Sequence, residues 1–438
     1  MLRHRTYHSF GFDLAVYDQV FWNTTQGRIL ESTMTGANPV PHSQLADHFS
    51  PVYLLLSPFY FVYPHPETLL VLQTAALAAG AWPVYLLARL KLGPGFGIFW
   101  VAVYFLFIPL AYINLYDFHE IAFAVAPLGF ALYFLERGRR LWFVVFVLFT
   151  FLVKEEMGLV AVGFGAYAVL AKRDWRVGIA VIGAGLATFV LLVGVVIPHF
   201  IGSGYTYFSL RYADVGGSPL GIIKTAVTNP LRIIRAVVVA KKIYFLIAIF
   251  GPVLGVSAIA GWAVVLLLPT LAYLLLSNYE PEFSFSTQYS APLIPLVVGT
   301  AIIGFARIPA DMRRVVATAV MASSVAFSWA YGDLPYSRKF DPSLFQTPAR
   351  YASFVPALAQ ISPDARVSAE NGFPSHFAER RFIYDYNFQG VQDAQWVVLD
   401  YEGTNYNVEG FNEQVAQVES MGYTEVASGY GLALLRKT

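Results

Sequence analysis

Apolar runs of about membrane length recur between residues 67 and 329, and most of them end at a short cluster of charge. About 20 apolar residues in a helix cover the roughly 30 Å hydrocarbon core of a bilayer, where the backbone must satisfy its own hydrogen bonds. The runs therefore predict helices at 67–90, 94–115, 121–135, 141–153, 157–171, 177–197, 292–305 and 315–329. The run 243–276 exceeds one span and holds Gly251-Pro252 and Gly261, so it divides into two, giving ten crossings. A chain that is 57% hydrophobic and 13% charged fits this reading: an α-helical polytopic membrane protein. A net charge of +1 offers nucleic acid no basic surface, and the absence of cysteine excludes disulfides, thiolate metal sites and a Cys nucleophile. Nothing in the residues sets an oligomeric state.

Residues 1–66 hold no full span. The apolar stretch 52–63 is short and is framed and interrupted by Pro51, Pro58 and Pro64, so 1–66 reads as an outer loop with interfacial or re-entering helices. Residues 67–331 form the transmembrane region, with a long outer loop at 199–242. In the ten-span scheme Arg89/Lys91, Arg137/Arg139/Arg140, Lys172/Arg173/Arg176 and Arg307/Arg313/Arg314 all fall on one side, which the positive-inside rule makes cytoplasmic. The opposite loops are then extracytoplasmic. An even number of crossings also puts the N-terminus outside; Met1 to His8 is basic without an apolar core, and we expect a first helix to be missing ahead of it.

Three acidic clusters fall on that outer side: Gly11-Phe12-Asp13-Leu14-Ala15-Val16-Tyr17-Asp18-Gln19, Asp117-Phe118-His119-Glu120 and Lys154-Glu155-Glu156. Ionisable groups near a bilayer are expensive, so their shared placement predicts convergence on one site at the membrane surface. The spans flanking Lys154-Glu155-Glu156 are only about 13 to 15 residues, or roughly 20 Å, which should leave these three below the interface, facing a wet cavity or pairing internally. In the outer loop a helix over 220–243, kinked at Pro230, would gather Lys224, Thr228, Arg232, Arg235 and Lys242 in a stripe fit for headgroups. Arg211, with Tyr205 and Tyr207, is a further candidate for a phosphate.

After residue 331 the composition changes. Strand-like runs at 365–369, 381–384, 396–399 and 432–435, with a helical pattern at 411–421, predict a small C-terminal α/β soluble domain within 332–438 on the outer face. His376, Arg380 and Arg381 could close over a substrate there or be plain surface.

The motifs Phe12-Asp13-Leu14-Ala15-Val16-Tyr17-Asp18-Gln19, Trp22-Asn23, His48-Phe49-Ser50-Pro51, Asp117-Phe118-His119-Glu120, Lys154-Glu155-Glu156 and Gln288-Tyr289-Ser290-Ala291-Pro292 resemble the membrane-protein family called domain of unknown function 2079. The resemblance covers nearly the whole chain. That family is similar in layout to the GT-C glycosyltransferases, which include protein mannosyltransferases and aminoarabinose lipid A transferases and use polyprenyl-phosphate-linked sugars.

The resemblance implies a catalytic base in the first outer loop, which falls on Asp13, with Asp18 as the second choice; either could instead cap a helix. Asp117, His119 and Glu120 read as a second acidic wall, as a divalent-metal site completed by Asp13 or His48, or as a solvated turn. Lys154, Glu155 and Glu156 would line the sugar or phosphate site, and the resemblance extends that lining to Gln288 and Tyr289. The implied partners are the bilayer and a lipid-linked sugar. No glycine-rich phosphate loop stands in a strand-to-helix context, which suits a lipid donor rather than a nucleotide. Two other functions are open: a transporter or flippase using the buried acids, although no internal repeat is visible, and a non-catalytic scaffold.

Overall fold

The computed structural model describes residues 1–35, 40–202, 207–401 and 408–438. Asn38, Pro39, Tyr205 and the side chain of Tyr207 lie outside the described residues.

Helices build the body between residues 52 and 331. Pro66–Leu92 runs 27 residues through Gly80 and is long and apolar enough to cross a membrane, as are Trp175–Ile201 and Gln288–Phe305. Pro94–Phe105 and Ile108–Leu115 form a pair bent by 49°, with Pro109 in the first turn of the second helix, where it cannot continue the hydrogen-bond ladder. Arg140–Thr150 and Met157–Leu170 are shorter, as their flanking charges predict. The single long helices are thus fewer than ten, and several expected crossings are made of broken pieces. Between Ala240–Phe250 and Leu268–Leu276 the chain passes through 3-10 turns at Gly251–Val253, Val256–Ile259 and Gly261–Leu266.

Leu293–Phe305 is buried along its whole length and forms the axis of the body. Met157–Leu170 packs on Trp175–Leu191 through small residues. A Cβ on Gly158 would lie 2.5 Å from the Gly185 carbonyl oxygen, and one on Gly165 would lie 2.6 Å from that of Gly178, so the two backbones touch at both sites. At the far end of these helices Lys91 and Lys172 both pair with Glu136, and Arg140 pairs with Asp174. These pairs bring three of the four basic loops together, and the Arg307 side chain joins Lys91 and Lys172 around one cavity.

The chain ends in a five-stranded sheet: β3 (Val367–Ala369), β4 (Ile383–Asp385), β5 (Trp396–Asp400), β6 (Tyr423–Gly429) and β7 (Leu432–Lys437), numbered after the two-residue pair β1 (Glu31–Ser32) and β2 (His42–Ser43). The order is β4-β3-β5-β7-β6, with β3 parallel to both β4 and β5 and the last two strands antiparallel. Side chains alternate across β5. Val397 and Leu399 pack with Phe411 and Val418, while Trp396 and Val398 pack with Phe354 and Leu358.

The helix Gly11–Thr25 joins the two parts. It carries no polar stripe, because it is covered on two sides. Leu14, Tyr17, Val20 and Phe21 belong to the core of the membrane body, whereas Ala15 and Val16 belong to the core beneath the sheet. Gln19 fixes the contact: its amide donates to Thr33 Oγ1 (2.9 Å) and to the carbonyls of Arg380 (3.3 Å) and Arg381 (2.9 Å), and its oxygen accepts from Thr33 N at 2.9 Å.

Two expectations need correction. The helix over 220–243 is three helices, Pro219–Thr228, Pro230–Val237 and Ala240–Phe250, because Asn229 and Pro230 restart the chain and Val238-Val239 leave helical geometry. The basic stripe is therefore broken: Arg232 turns to the Asp214 carbonyl (2.5 Å), and buried Lys242 donates to the carbonyls of Leu275 (2.6 Å) and Ser277 (2.8 Å). Nor do His376 and Arg380 face a substrate. His376 stacks between His4 and Tyr7, ring centres 4.3 and 4.0 Å away, and its burial lowers its pKa to about 3. Arg380 donates inward to the Phe377 and Ala365 carbonyls, and Arg381 lies 3.6 Å from Glu31.

Candidate active site

The turn between Arg140–Thr150 and Met157–Leu170 carries Lys154, Glu155 and Glu156. Helices of 11 and 14 residues rise only about 17 and 21 Å, and Lys154 and Glu155 are buried at the turn between them, so these two charges must find partners within the protein. Lys154 Nζ sits 2.8 Å from Glu120 Oε1, with the two side chains 3% and 0% exposed. The Tyr53 hydroxyl donates to the other Glu120 oxygen at 3.1 Å. Glu155 is held from the opposite side, by His48 Nδ1 at 2.9 Å and the Phe49 amide at 3.1 Å. The segment 47–51 and the 154–156 turn are thereby locked together.

Asp13 stands in the first turn of Gly11–Thr25, with its side chain 31% exposed, and its Oδ2 lies 3.4 Å from His119 Nε2. The turn that bears His119 is set by Gln73: its amide donates to the carbonyls of Ile113 (2.9 Å) and Asp117 (2.5 Å), and its oxygen accepts from the His119 amide at 2.7 Å. Asp117 takes a left-handed backbone conformation there, φ +62°, which an aspartate tolerates better than most residues.

An open cavity lies against the 154–156 turn. Its polar wall includes His48, Lys154, Glu155, Glu156, Arg211 and Tyr289, and its apolar wall is Leu159, Phe189, Val193 and Phe208. Arg211 pairs with Glu282 at 2.5 Å, lies over the rings of Tyr279 and Tyr289 (4.6 and 5.5 Å) and approaches the Tyr289 hydroxyl at 3.4 Å. Lys154 Nζ lies 5.8 Å from the centre of the Tyr289 ring. A planar cation held on aromatic faces presents its N–H groups in a fixed plane, a geometry suited to phosphate.

Six of the residues singled out from the sequence thus share one cavity. Glu120, His119 and Asp13 stand behind it: Glu120 touches Lys154, and its neighbour His119 leads to Asp13. Three others lie apart. Asp18 is fully buried and bonds to the Tyr60 hydroxyl at 2.5 Å, Asp117 is 4% exposed in its turn, and Gln288 is buried beside the cavity without lining it. Among the described residues no three His, Asp or Glu side chains gather to hold a metal ion, so the divalent-metal reading has no ligand set. Glu282, Tyr212 and Tyr273 also line the cavity. Only position could have singled out Glu282, which a sequence reading takes for loop charge: it lies six residues before Gln288-Tyr289.

A helical membrane body joined through an acidic helix to a small α/β domain is a GT-C-like fold. Its fold is shared by the crystal structure of ArnT from Cupriavidus metallidurans bound to undecaprenyl phosphate, with a TM-score of 0.58 over 98% of this chain and 94% of that one at 12% identity. The apo state of the same protein gives 0.57, over 98% and 93% at 11% identity. The chain itself belongs to the family described as "Predicted membrane protein (DUF2079)", which matches residues 3–434. No curated protein matches the sequence.

Proposed function

We propose that this protein is a membrane glycosyltransferase of GT-C type, moving a sugar from a polyprenyl-phosphate donor to an extracytoplasmic acceptor. The observation that carries the reading is a cavity lined both by Lys154, Arg211 and Tyr289 and by Leu159, Phe189 and Val193, a combination that suits a phosphate with a hydrocarbon tail. The fold's likeness to a protein solved with undecaprenyl phosphate bound supports it. In this mechanism the acceptor oxygen attacks the anomeric carbon from the face opposite the phosphate, the bond from that carbon to the phosphate oxygen breaks, and the acceptor's proton passes to the Asp13 carboxylate. Lys154 and Arg211 stabilise the negative charge gathering on the departing phosphate. Glu282 shares Arg211 with that phosphate, which the five N–H groups of a guanidinium allow. His119 positions Asp13.

The cavity opens beside the start of Met157–Leu170 rather than its middle, which favours this reading over a midplane transport path. On this reading residues 1–66 and the domain 332–438 are extracytoplasmic, and the gathered basic loops are cytoplasmic. The test compares cell-envelope glycans and lipid-linked sugars by mass spectrometry in strains carrying no gene, wild type, Asp13→Asn or Arg211→Ala. The proposal expects one glycan to disappear and its lipid-linked precursor to accumulate in all but wild type. Identical profiles across the four strains would sink it.

A further inference from the structure

A second cavity lies at the other end of the membrane body. Lys154, Glu155 and Glu156 precede Met157–Leu170, whereas Tyr167 and Lys172 stand at its end, so about 20 Å of helix separates the two sites. Five elements meet there, and three cations face a single carboxylate. Glu136, its side chain 1% exposed, accepts from Lys172 at 2.7 Å, from the Tyr167 hydroxyl at 2.5 Å and from Lys91. Each ammonium has three protons, and both side chains remain 28% exposed toward the opening.

Arg307 supplies the surplus. Among the described residues its guanidinium has no carboxylate partner, and that group's one hydrogen bond is a long one, 3.4 Å, to the Ile259 carbonyl. The guanidinium lies flat on Gly261, where a Cβ would fall 2.3 Å from Nη1, so the backbone leaves room for it and fixes its plane. Beside it Trp262 is 58% exposed, and Ala260, Ala263 and Ile303 complete an apolar floor. Tryptophan at such a place sits at headgroup level in a bilayer.

We propose that this cavity binds a phosphate ester, with Arg307 and Lys172 as its donors, Glu136 as the carboxylate that holds the two lysines apart, and Trp262 flanking the ester's substituent. Arg307 is exposed and both lysines are partly so, which leaves net positive charge at the mouth of the cavity, and basic pockets between transmembrane helices take lipid headgroups. The same donors would accept the phosphate of a membrane lipid or of a soluble ester. The site is independent of the glycosyl-transfer reading.

The test uses the full-length protein in neutral detergent with phosphatidylglycerol, phosphatidylcholine or inorganic phosphate, read by native mass spectrometry and by thermal unfolding. Wild type should retain phosphatidylglycerol in preference to phosphatidylcholine, and Arg307→Ala should weaken retention at least about tenfold, the equivalent of one charge-assisted hydrogen bond. Arg140→Ala, which removes an exposed charge at the same end but outside the cavity, should retain it as wild type does. Displacement by millimolar inorganic phosphate would assign the site to soluble esters, and resistance to it would assign the site to lipid. Should Arg307→Ala unfold, Lys172→Gln must produce the same loss, since Lys91 still serves Glu136. Equal retention by wild type and the cavity variants, or an equal loss in Arg140→Ala, would overturn the proposal.

Discussion

Replacing Lys154 with methionine tests both the packing and the chemistry of the site. The Lys154–Glu120 pair is 2.8 Å long and buried on both sides, so Lys154→Met strands a carboxylate that is 0% exposed. Orphaning one member of a buried pair is destabilising by about 3–5 kcal/mol. Tyr53 still donates to the remaining oxygen, so the lower figure applies: about 3 kcal/mol, or roughly a hundredfold in the unfolding equilibrium. Adding Glu120→Gln removes the stranded charge while keeping an acceptor for Tyr53, and the double variant should recover about two thirds of the loss. Unfolding in mixed detergent micelles, followed by tryptophan fluorescence, measures all three proteins. The recovered double variant should still leave the envelope glycan absent, because the cation assigned to the departing phosphate is gone. A single variant that loses less than about 1 kcal/mol, or a double variant no better than the single, would refute the reasoning about burial.

Three further outcomes follow from other contacts. A Cβ on Gly11 would lie 1.6 Å from the Asn371 carbonyl oxygen, so Gly11→Ala should loosen the seat of the motif helix on the sheet by about 1–3 kcal/mol, seen as faster proteolysis within 332–438; Gly95→Ala, with open space around it, should not. Gln73→Ala should lower turnover without changing lipid retention at the site, since Gln73 sets the His119 turn and does not line the cavity. Asp385 caps a short helix through the Phe388 amide, and its burial raises its pKa to about 6, so its stabilising share is present at acid pH and lost as pH rises through about 6. Asp385→Asn keeps the cap and should match wild type near pH 4 yet exceed it at pH 8 by up to about 3 kcal/mol, measured by thermal unfolding at both pH values.

The membrane body was legible because long apolar runs admit few structures, and four of the five strands of the C-terminal sheet were visible as hydrophobic runs. The fifth, Tyr423–Gly429, is an edge strand, mostly exposed and interrupted by a bulge between Glu425 and Ala427, so it lacks the apolar signal that marked its neighbours. At the site, Lys154, Glu155 and Glu156 betrayed themselves by sitting between helices too short to release them. Asp13 and Asp18 looked alike in sequence, yet they point about 140° apart on a helix buried on two sides, and only Asp13 meets the His119 turn. The broken stripe from Lys224 to Lys242 shows the converse: helical offsets mean nothing across two restarts of the helix. Glu282 was missed because its partner, Arg211, lies 71 residues away.

The bonds from Gln19 to the carbonyls of Arg380 and Arg381 span more than 360 positions of the polypeptide. During biosynthesis, at about 5–20 residues per second, the acidic helix therefore waits roughly 20–70 s after leaving the ribosome before its second covering surface exists. Nascent chains halted short of residue 380 should expose Ala15 and Val16 to chaperones and proteases, and the finished site is in effect the last thing the cell assembles.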